Sequence, residues 1–307
     1  MTCRRRQPVL ETDLLSRAEL AFLGRSPLAL KLLTTIAATR CSPFDALDRV
    51  VPRTGYGVAA DIAYGSRSRQ RLDVYRPEGD PSGRPVIVYL YGGGWRQGER
   101  ASYRFVGQAL TGRGFVTVIP DYRLFPEVRF PSFVEDAAAA LRWARDNAAR
   151  HGGDPERIVL VGHSAGAHSA ALLALDPRYT EAAGLTPNPI KAVVGLAGPY
   201  AFDPLQYDWT RSVFEGAAHP EDPRPVTKVL PGAPPMLLQH GGLDQTVWPV
   251  NSEQLARRLG EVGTHARLIT YPKLGHITIA LLLAAPFQRM GPVLTDMLAF
   301  LEEVVGN

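Results

Sequence analysis

The sequence predicts an α/β fold with a mostly parallel central sheet flanked by helices, and three observations carry that prediction. Six short apolar runs recur between residues 85 and 271: VIVYLY, FVTVIP, IVLVG, AVVGLAG, MLLQH and ARLITY. Longer amphipathic stretches separate them, and strands buried on both faces alternating with helices make a doubly wound sheet. The 307 residues, 45% of them hydrophobic, suffice to bury one large core.

Taken in order, the first fifty residues read as short helices. Asp13 is placed to cap a segment carrying Leu14, Leu15, Ala18 and Phe22; Ser26-Pro27 opens a second with Leu28, Leu30 and Leu33; Ser42-Pro43 opens a third that ends before Pro52. YGVAADIAY and RLDVY flank the polar turn Gly65-Ser66-Arg67-Ser68 and predict an antiparallel pair at about 56–64 and 71–76. A helix is expected over 132–150, between Pro131-Ser132 and Gly152-Gly153. Residues 199–234, rich in Pro and aromatics, break the strand-helix rhythm and predict an excursion over the C-terminal edge of the sheet. The leucines of residues 1–50 need burial, so that segment is expected to form a small helical cap together with 199–234, over a catalytic domain at 51–307.

Composition excludes several classes of partner. The net charge of +4 comes from 34 basic residues against 30 acidic ones, and the basic residues are scattered, with one tight cluster at Arg4-Arg5-Arg6; no nucleic-acid partner is expected. Cys3 and Cys41 are too few for a disulfide framework or a metal-ligand set, which points to a cytoplasmic protein and leaves their pairing open. Glu11, Asp13, Glu19 and Lys31 interrupt the N-terminal region, so no export signal is read there. The longest uncharged apolar stretch, ITIALLLAAPF at 277–287, is shorter than the roughly 20 residues of a membrane span. No His pair has the spacing of a metal site, and no metal or cofactor is expected. A homodimer is left open.

The run PVIVYLYGGGWRQG at 85–98 stops at three glycines. A glycine turn after a strand brings backbone N–H groups toward a phosphate or toward the oxygen of a reacting carbonyl. The dinucleotide pattern G-x-G-x-x-G fails because Gln97 holds the third position, and no Gly-Lys-Ser/Thr follows as a phosphate loop would require. Further along, Gly162, Ser164 and Gly166 in IVLVGHSAGAHSA form G-x-S-x-G between an apolar strand and an Ala-rich helix. That context suits a nucleophile on a tight strand-to-helix turn.

A nucleophilic serine needs a base, and the base needs an orienting carboxylate. Asp244 follows MLLQH and His276 follows ARLITY, in the order Ser, acid, His, each just after a strand. Asp203 and Asp208 are the rival acids. Of the other histidines, His163 and His168 read as packing groups, His240 as an anchor for the Asp244 loop, and His151, His219 and His265 as surface residues. With a serine nucleophile downstream, the backbone N–H groups of Gly93, Gly94 and Ala165 are expected to form an oxyanion hole. Trp95, Tyr200, Phe214 and Ile277 are the expected substrate contacts.

Taken together, YGVAADIAYGSRSRQRLDVYRP, VYLYGGGWRQGER, PDYRLFPEVRFP, VGHSAGAH, LAGPY, HGGLDQTVWP and Gly275-His276 resemble the bacterial hormone-sensitive-lipase-like esterases of the α/β-hydrolase fold, in particular the BD-FAE branch. The resemblance implies a serine carboxylesterase that acts on a small-molecule ester, with short-chain acyl or aryl groups, through an acyl-enzyme. An arylformamidase or amidase on the same triad is the alternative, and a noncatalytic ligand-binding member of the fold is a further one. One departure stands out: the family usually carries His before the three glycines, where this chain has Tyr91. Tyr91 is expected to anchor the glycine loop through its hydroxyl, and Asp121, within Asp121-Tyr122-Arg123, to support that loop from behind.

Overall fold

The computed structural model of the chain describes residues 15–24, 42–47, 51–79 and 82–306. Eight strands form one sheet in the order β1-β2-β4-β3-β5-β6-β7-β8. β1 (Tyr56–Ala63) and β2 (Arg71–Pro77) pair antiparallel around the turn expected at 65–68, and β2 runs antiparallel to β4 (Val116–Pro120). From β4 onward the sheet is parallel, through β3 (Arg84–Leu90), β5 (Gly153–His163), β6 (Ile190–Leu196), β7 (Met236–Gly241) and β8 (Ala266–Tyr271).

The apolar runs fall on these six strands, and all of β4 and β7 is buried. β8 departs from the expected burial on both faces: only Tyr271 is fully buried, because β8 closes the sheet edge and pairs with β7 alone. At the opposite edge, β1 alternates between more and less buried positions.

Two short helices precede the sheet. α1 (Arg17–Leu23) is capped by Ser16, whose Oγ accepts from the Glu19 N–H while the Glu19 carboxylate accepts from the Ser16 N–H at 2.9 Å. This reciprocal capping box places the start three residues after the Asp13 cap expected from sequence. Asp13 itself lies outside the described residues, as do Cys3, Cys41, Arg4 to Arg6 and the segment carrying Leu28, Leu30 and Leu33. α2 (Pro43–Leu47) starts as expected, with the Asp45 N–H donating to Ser42 Oγ.

The helices that pack on the sheet are α3 (Arg104–Thr111), α4 (Ser132–Asn147), α5 (Ala165–Leu175), α6 (Pro177–Ala182), α7 (Asp208–Phe214), α8 (Val250–Glu261), α9 (His276–Leu281) and α10 (Val293–Val305). α4 runs on as a 3-10 turn to His151 and closes at Gly152 in the left-handed conformation that Gly adopts most readily. Every residue of α5 is buried, which its run of Ala and Gly permits by letting the helix lie close to the sheet. Among the described residues no helix is long and apolar enough to cross a membrane.

Candidate active site

The turn between β5 and α5 holds Ser164 at φ 53°, ψ −121°, a conformation rarely adopted by residues with a side chain. Its neighbours explain how the chain tolerates it. A Cβ on Gly162 would lie 2.5 Å from the Gly166 carbonyl oxygen, and one on Gly166 would lie 2.0 Å from that of Leu90. Glycine at both places lets the turn close, and the Ser164 N–H then donates to the Leu196 carbonyl on β6 at 2.8 Å.

Ser164, Asp244 and His276 come together from loops after three different strands, although 80 and 32 residues separate them along the chain. His276 Nε2 lies 2.9 Å from Ser164 Oγ, and its Nδ1 lies 2.7 Å from Asp244 Oδ2. All three are buried. Burial by itself would raise the Asp244 carboxyl, but the charge of His276, hydrogen bonds from His240 and His276 and the Val247 N–H hold it well below the usual carboxylate range. Asp244 Oδ1 accepts from the N–H groups of Thr246 and Val247, leaving Oδ2 for the histidine. The geometry is that of a serine activated by an imidazole whose tautomer a carboxylate fixes.

The rival acids lie elsewhere. Asp203 accepts from the Leu205 N–H and the Gln206 amide in its own turn, and Asp208 is exposed and paired with Arg211. His240 anchors the acid loop as expected, with Nδ1 at Ser252 Oγ and Nε2 at the Val247 carbonyl. His168 is packed behind the site, with Nε2 on the Pro223 carbonyl at 2.6 Å, and burial lowers its pKa to about 4. His163 does more than pack. It lines the cavity and donates from Nε2 to the His276 carbonyl at 2.9 Å, while burial and the charge of His276 lower its pKa to about 3. His219 and His265 are exposed, but His151 is half-buried against the Trp143 ring instead of lying free on the surface.

The glycine turn after β3 closes on itself: Arg96 and Gln97 both donate to the Gly93 carbonyl at 3.1 Å. Gly93 has φ +122° and a Cβ there would lie 2.2 Å from the Gln97 carbonyl oxygen, so glycine is required. Gly93 and Gly94 share the cavity wall with Ser164, and Ala165 opens α5 beside the serine. Among the described residues no acceptor takes the backbone N–H of Gly93, Gly94 or Ala165.

Behind this turn lies a buried scaffold. The Tyr91 hydroxyl donates to Asp121 Oδ1 at 2.8 Å and accepts from Arg69 Nη2 at 2.9 Å. The ring stacks between Tyr103 and Tyr122, and the Tyr122 hydroxyl donates to the Tyr91 carbonyl at 2.7 Å. Burial and the Asp121 carboxylate push the Tyr91 phenol well above its usual range, so it stays a neutral donor. Asp121 also accepts from the Arg100 N–H and guanidinium, and Arg69 reaches on to the Gly98 carbonyl. The neighbouring Arg123 pairs with buried Asp136.

The cavity over Ser164 measures about 530 Å³. Trp95 and Ile277 line it. Tyr200 and Phe214 do not. The Tyr200 ring fills the slot left by Gly195 and Gly198, and Phe214 packs edge-on against Trp95 from behind. The wall is completed by residues that sequence reasoning missed, among them Phe44 on α2, Phe202, Tyr207 and Trp209 in the 199–234 segment, and Val247 and Trp248 after Asp244. No Lys, Arg, Asp or Glu among the described residues lines it. Among the described residues, no three His, Cys, Asp or Glu side chains are grouped to hold a metal ion.

Known proteins similar to this chain are esterases. The BD-FAE family model matches residues 72–259, more than half of the chain. An isoprenylcysteine alpha-carbonyl methylesterase of Arabidopsis thaliana is 33% identical over 245 residues, covering 73% of this chain and 57% of that protein. Esterase LipC of Mycobacterium tuberculosis is 33% identical over 270 residues, covering 79% of this chain and 64% of its own length. The chain therefore spans about three fifths of either relative. Among solved structures, Thermogutta terrifontis esterase 2 phosphorylated by paraoxon superposes with a TM-score of 0.66 at 25% identity, covering 83% of this chain and 96% of that one.

Proposed function

Since the chain belongs to the BD-FAE family of α/β-hydrolase carboxylesterases, we propose that it hydrolyses uncharged carboxylic esters through an acyl-enzyme on Ser164. Ser164 attacks the ester carbonyl while His276 takes its proton, and Asp244 orients and stabilises the imidazolium. The N–H groups of Gly93, Gly94 and Ala165 receive the oxyanion. His276 returns the proton to the departing alcohol, and a water activated by the same imidazole then releases the acid.

The observation that carries this reading is the continuous relay from Ser164 Oγ to His276 to Asp244, at 2.9 and 2.7 Å, opening on a cavity that two glycines line. The substrate class follows from the wall. A charged substrate would meet no opposite charge there among the described residues, whereas aryl and short alkyl groups meet Phe44, Phe202, Trp95 and Trp209. We further infer that the N-terminal helices and residues 199–234 act together as a cap, since Phe44 and Phe202 line the same cavity.

The test is a panel of p-nitrophenyl esters of increasing acyl length, run beside an arylformamide and a carboxylate-bearing ester. Turnover of neutral short-chain and aryl esters, lost in Ser164→Ala, is expected. A preference for the formamide would reassign the enzyme to the amidase reading, and efficient turnover of the charged ester would overturn the substrate class.

A further inference from the structure

His276 is held by more than its ring. Its carbonyl accepts from His163, and the two amides that follow it, those of Ile277 and Thr278, both donate at 2.9 Å to one oxygen of Glu19. These amides lie in the first turn of α9, where the N–H groups have no acceptor within their own helix. Glu19 belongs to α1, more than 250 residues earlier, and it is buried to 3% exposure. Its second oxygen is engaged by the Ser16 N–H. Gly275 makes the approach possible, since a Cβ there would lie 2.6 Å from the Glu19 carboxyl carbon.

We propose that Glu19 is a positioning residue for His276, by which the N-terminal helix fixes the turn that carries the catalytic imidazole. This rests on the Ser164–His276–Asp244 reading given above. The physical reason is that two buried N–H groups without an acceptor would draw the turn toward water or another partner. A carboxylate at the start of a helix satisfies both and matches the positive end of the helix dipole. With His163 on one side of the His276 peptide and Glu19 on the other, the imidazole is fixed between Ser164 and Asp244 before substrate arrives.

The test is steady-state hydrolysis of a short p-nitrophenyl ester. Glu19→Ala should lower kcat on the order of 100-fold with KM changed little, the penalty of a displaced catalytic group. Glu19→Gln keeps an oxygen for the two amides and should recover most of that loss. Ser16→Ala weakens the cap of the same helix without touching the His276 turn, and should retain wild-type kcat. Gly275→Ala pushes the carboxylate away without removing it, and should reproduce the loss if Glu19→Ala does not fold. A wild-type kcat in Glu19→Ala or Gly275→Ala, or an equal loss in Ser16→Ala, would overturn the proposal. Ser164→Ala is run alongside: activity surviving there removes the triad reading and this proposal with it, whereas an inactive Ser164→Ala beside a fully active Glu19→Ala removes the positioning role alone.

Discussion

The proposed catalytic groups and the cavity wall opposite them are built by opposite rules. Ser164, Asp244 and His276 are buried and tied to one another, and the scaffold behind the half-buried glycine turn is cross-tied through Tyr91 and Asp121. The wall from 207 to 250 instead presents aromatic and aliphatic surface to water: Tyr207 is 51% exposed, Trp209 44%, Trp248 67% and Val250 42%. Polar preorganisation is needed where charge develops, because donors and acceptors that must first turn give up most of their advantage. An apolar wall needs no such order and sets which groups enter. Changes to the first region should therefore act on kcat, and changes to the second on KM and substrate choice.

The largest expected effect breaks the first region. Asp244→Asn removes the carboxylate that fixes the His276 tautomer, and kcat should fall on the order of 10⁴-fold. Asp203→Asn, whose carboxylate serves only its own turn, should leave kcat unchanged. Equal losses in the two variants would dissolve the contrast with the excursion.

Next comes a dependence of stability on pH. Burial keeps His163 and His168 neutral, with pKa values lowered to about 3 and about 4 from 6.5. Between about pH 6.5 and 4 the unfolded chain binds a proton at each that the folded chain does not, so stability is complete above about 6.5 and declines as pH falls. The slope is about 1.4 kcal/mol per pH unit for each histidine. Urea melts from pH 7.5 to 4.5 check this, and His168→Gln should remove one of the two contributions. An unfolding free energy flat across that range would contradict neutral burial.

The wall is tested by Trp209→Ala. Its ring stands 3.7 Å from where a Cβ on Gly94 would lie, and it is exposed enough to be removed without disturbing the core. KM for aryl esters should rise about tenfold with kcat little changed. A fall in kcat with constant KM would place Trp209 with the reacting groups instead.

The smallest effect concerns the scaffold behind the glycine turn. Tyr91→Phe removes the hydroxyl between Asp121 and Arg69, but Arg69 keeps the Tyr122 and Gly98 carbonyls. Both partners are charged, but the hydroxyl acts on the glycine turn only through the scaffold behind it, so about 1 kcal/mol of the loss should reach the reaction, roughly fivefold in kcat, with the pH profile unmoved. A loss of about a hundredfold would mean that the hydroxyl itself reaches the oxyanion.

The parts legible in the sequence were those written over short stretches of chain. Ser164, Asp244 and His276 each follow a short apolar run that forms a strand of the parallel sheet, and the glycines around Ser164 announce a turn too tight for side chains. What stayed hidden depends on which way a side chain faces or on distant partners. Tyr200 and Phe214 share the aromatic character of Phe202 and Trp209, and only Gly195 and Gly198, which open a slot for the Tyr200 ring, marked it as a packing residue. The helix start at Ser16 was written locally as Ser16-Arg17-Ala18-Glu19, the S-x-x-E pattern of a capping box. The second use of Glu19, on the amides after His276, has no local signature because it is made across 258 residues.

The most direct measurement is the site of covalent modification by an alkyl fluorophosphonate, read by peptide mass spectrometry alongside loss of ester hydrolysis. An activated Ser164 predicts one adduct on the peptide carrying that residue, formed in step with inactivation, absent from Ser164→Ala and greatly slowed in Asp244→Asn. Inactivation with the adduct on another residue, or undiminished hydrolysis with Ser164 fully modified, would contradict it.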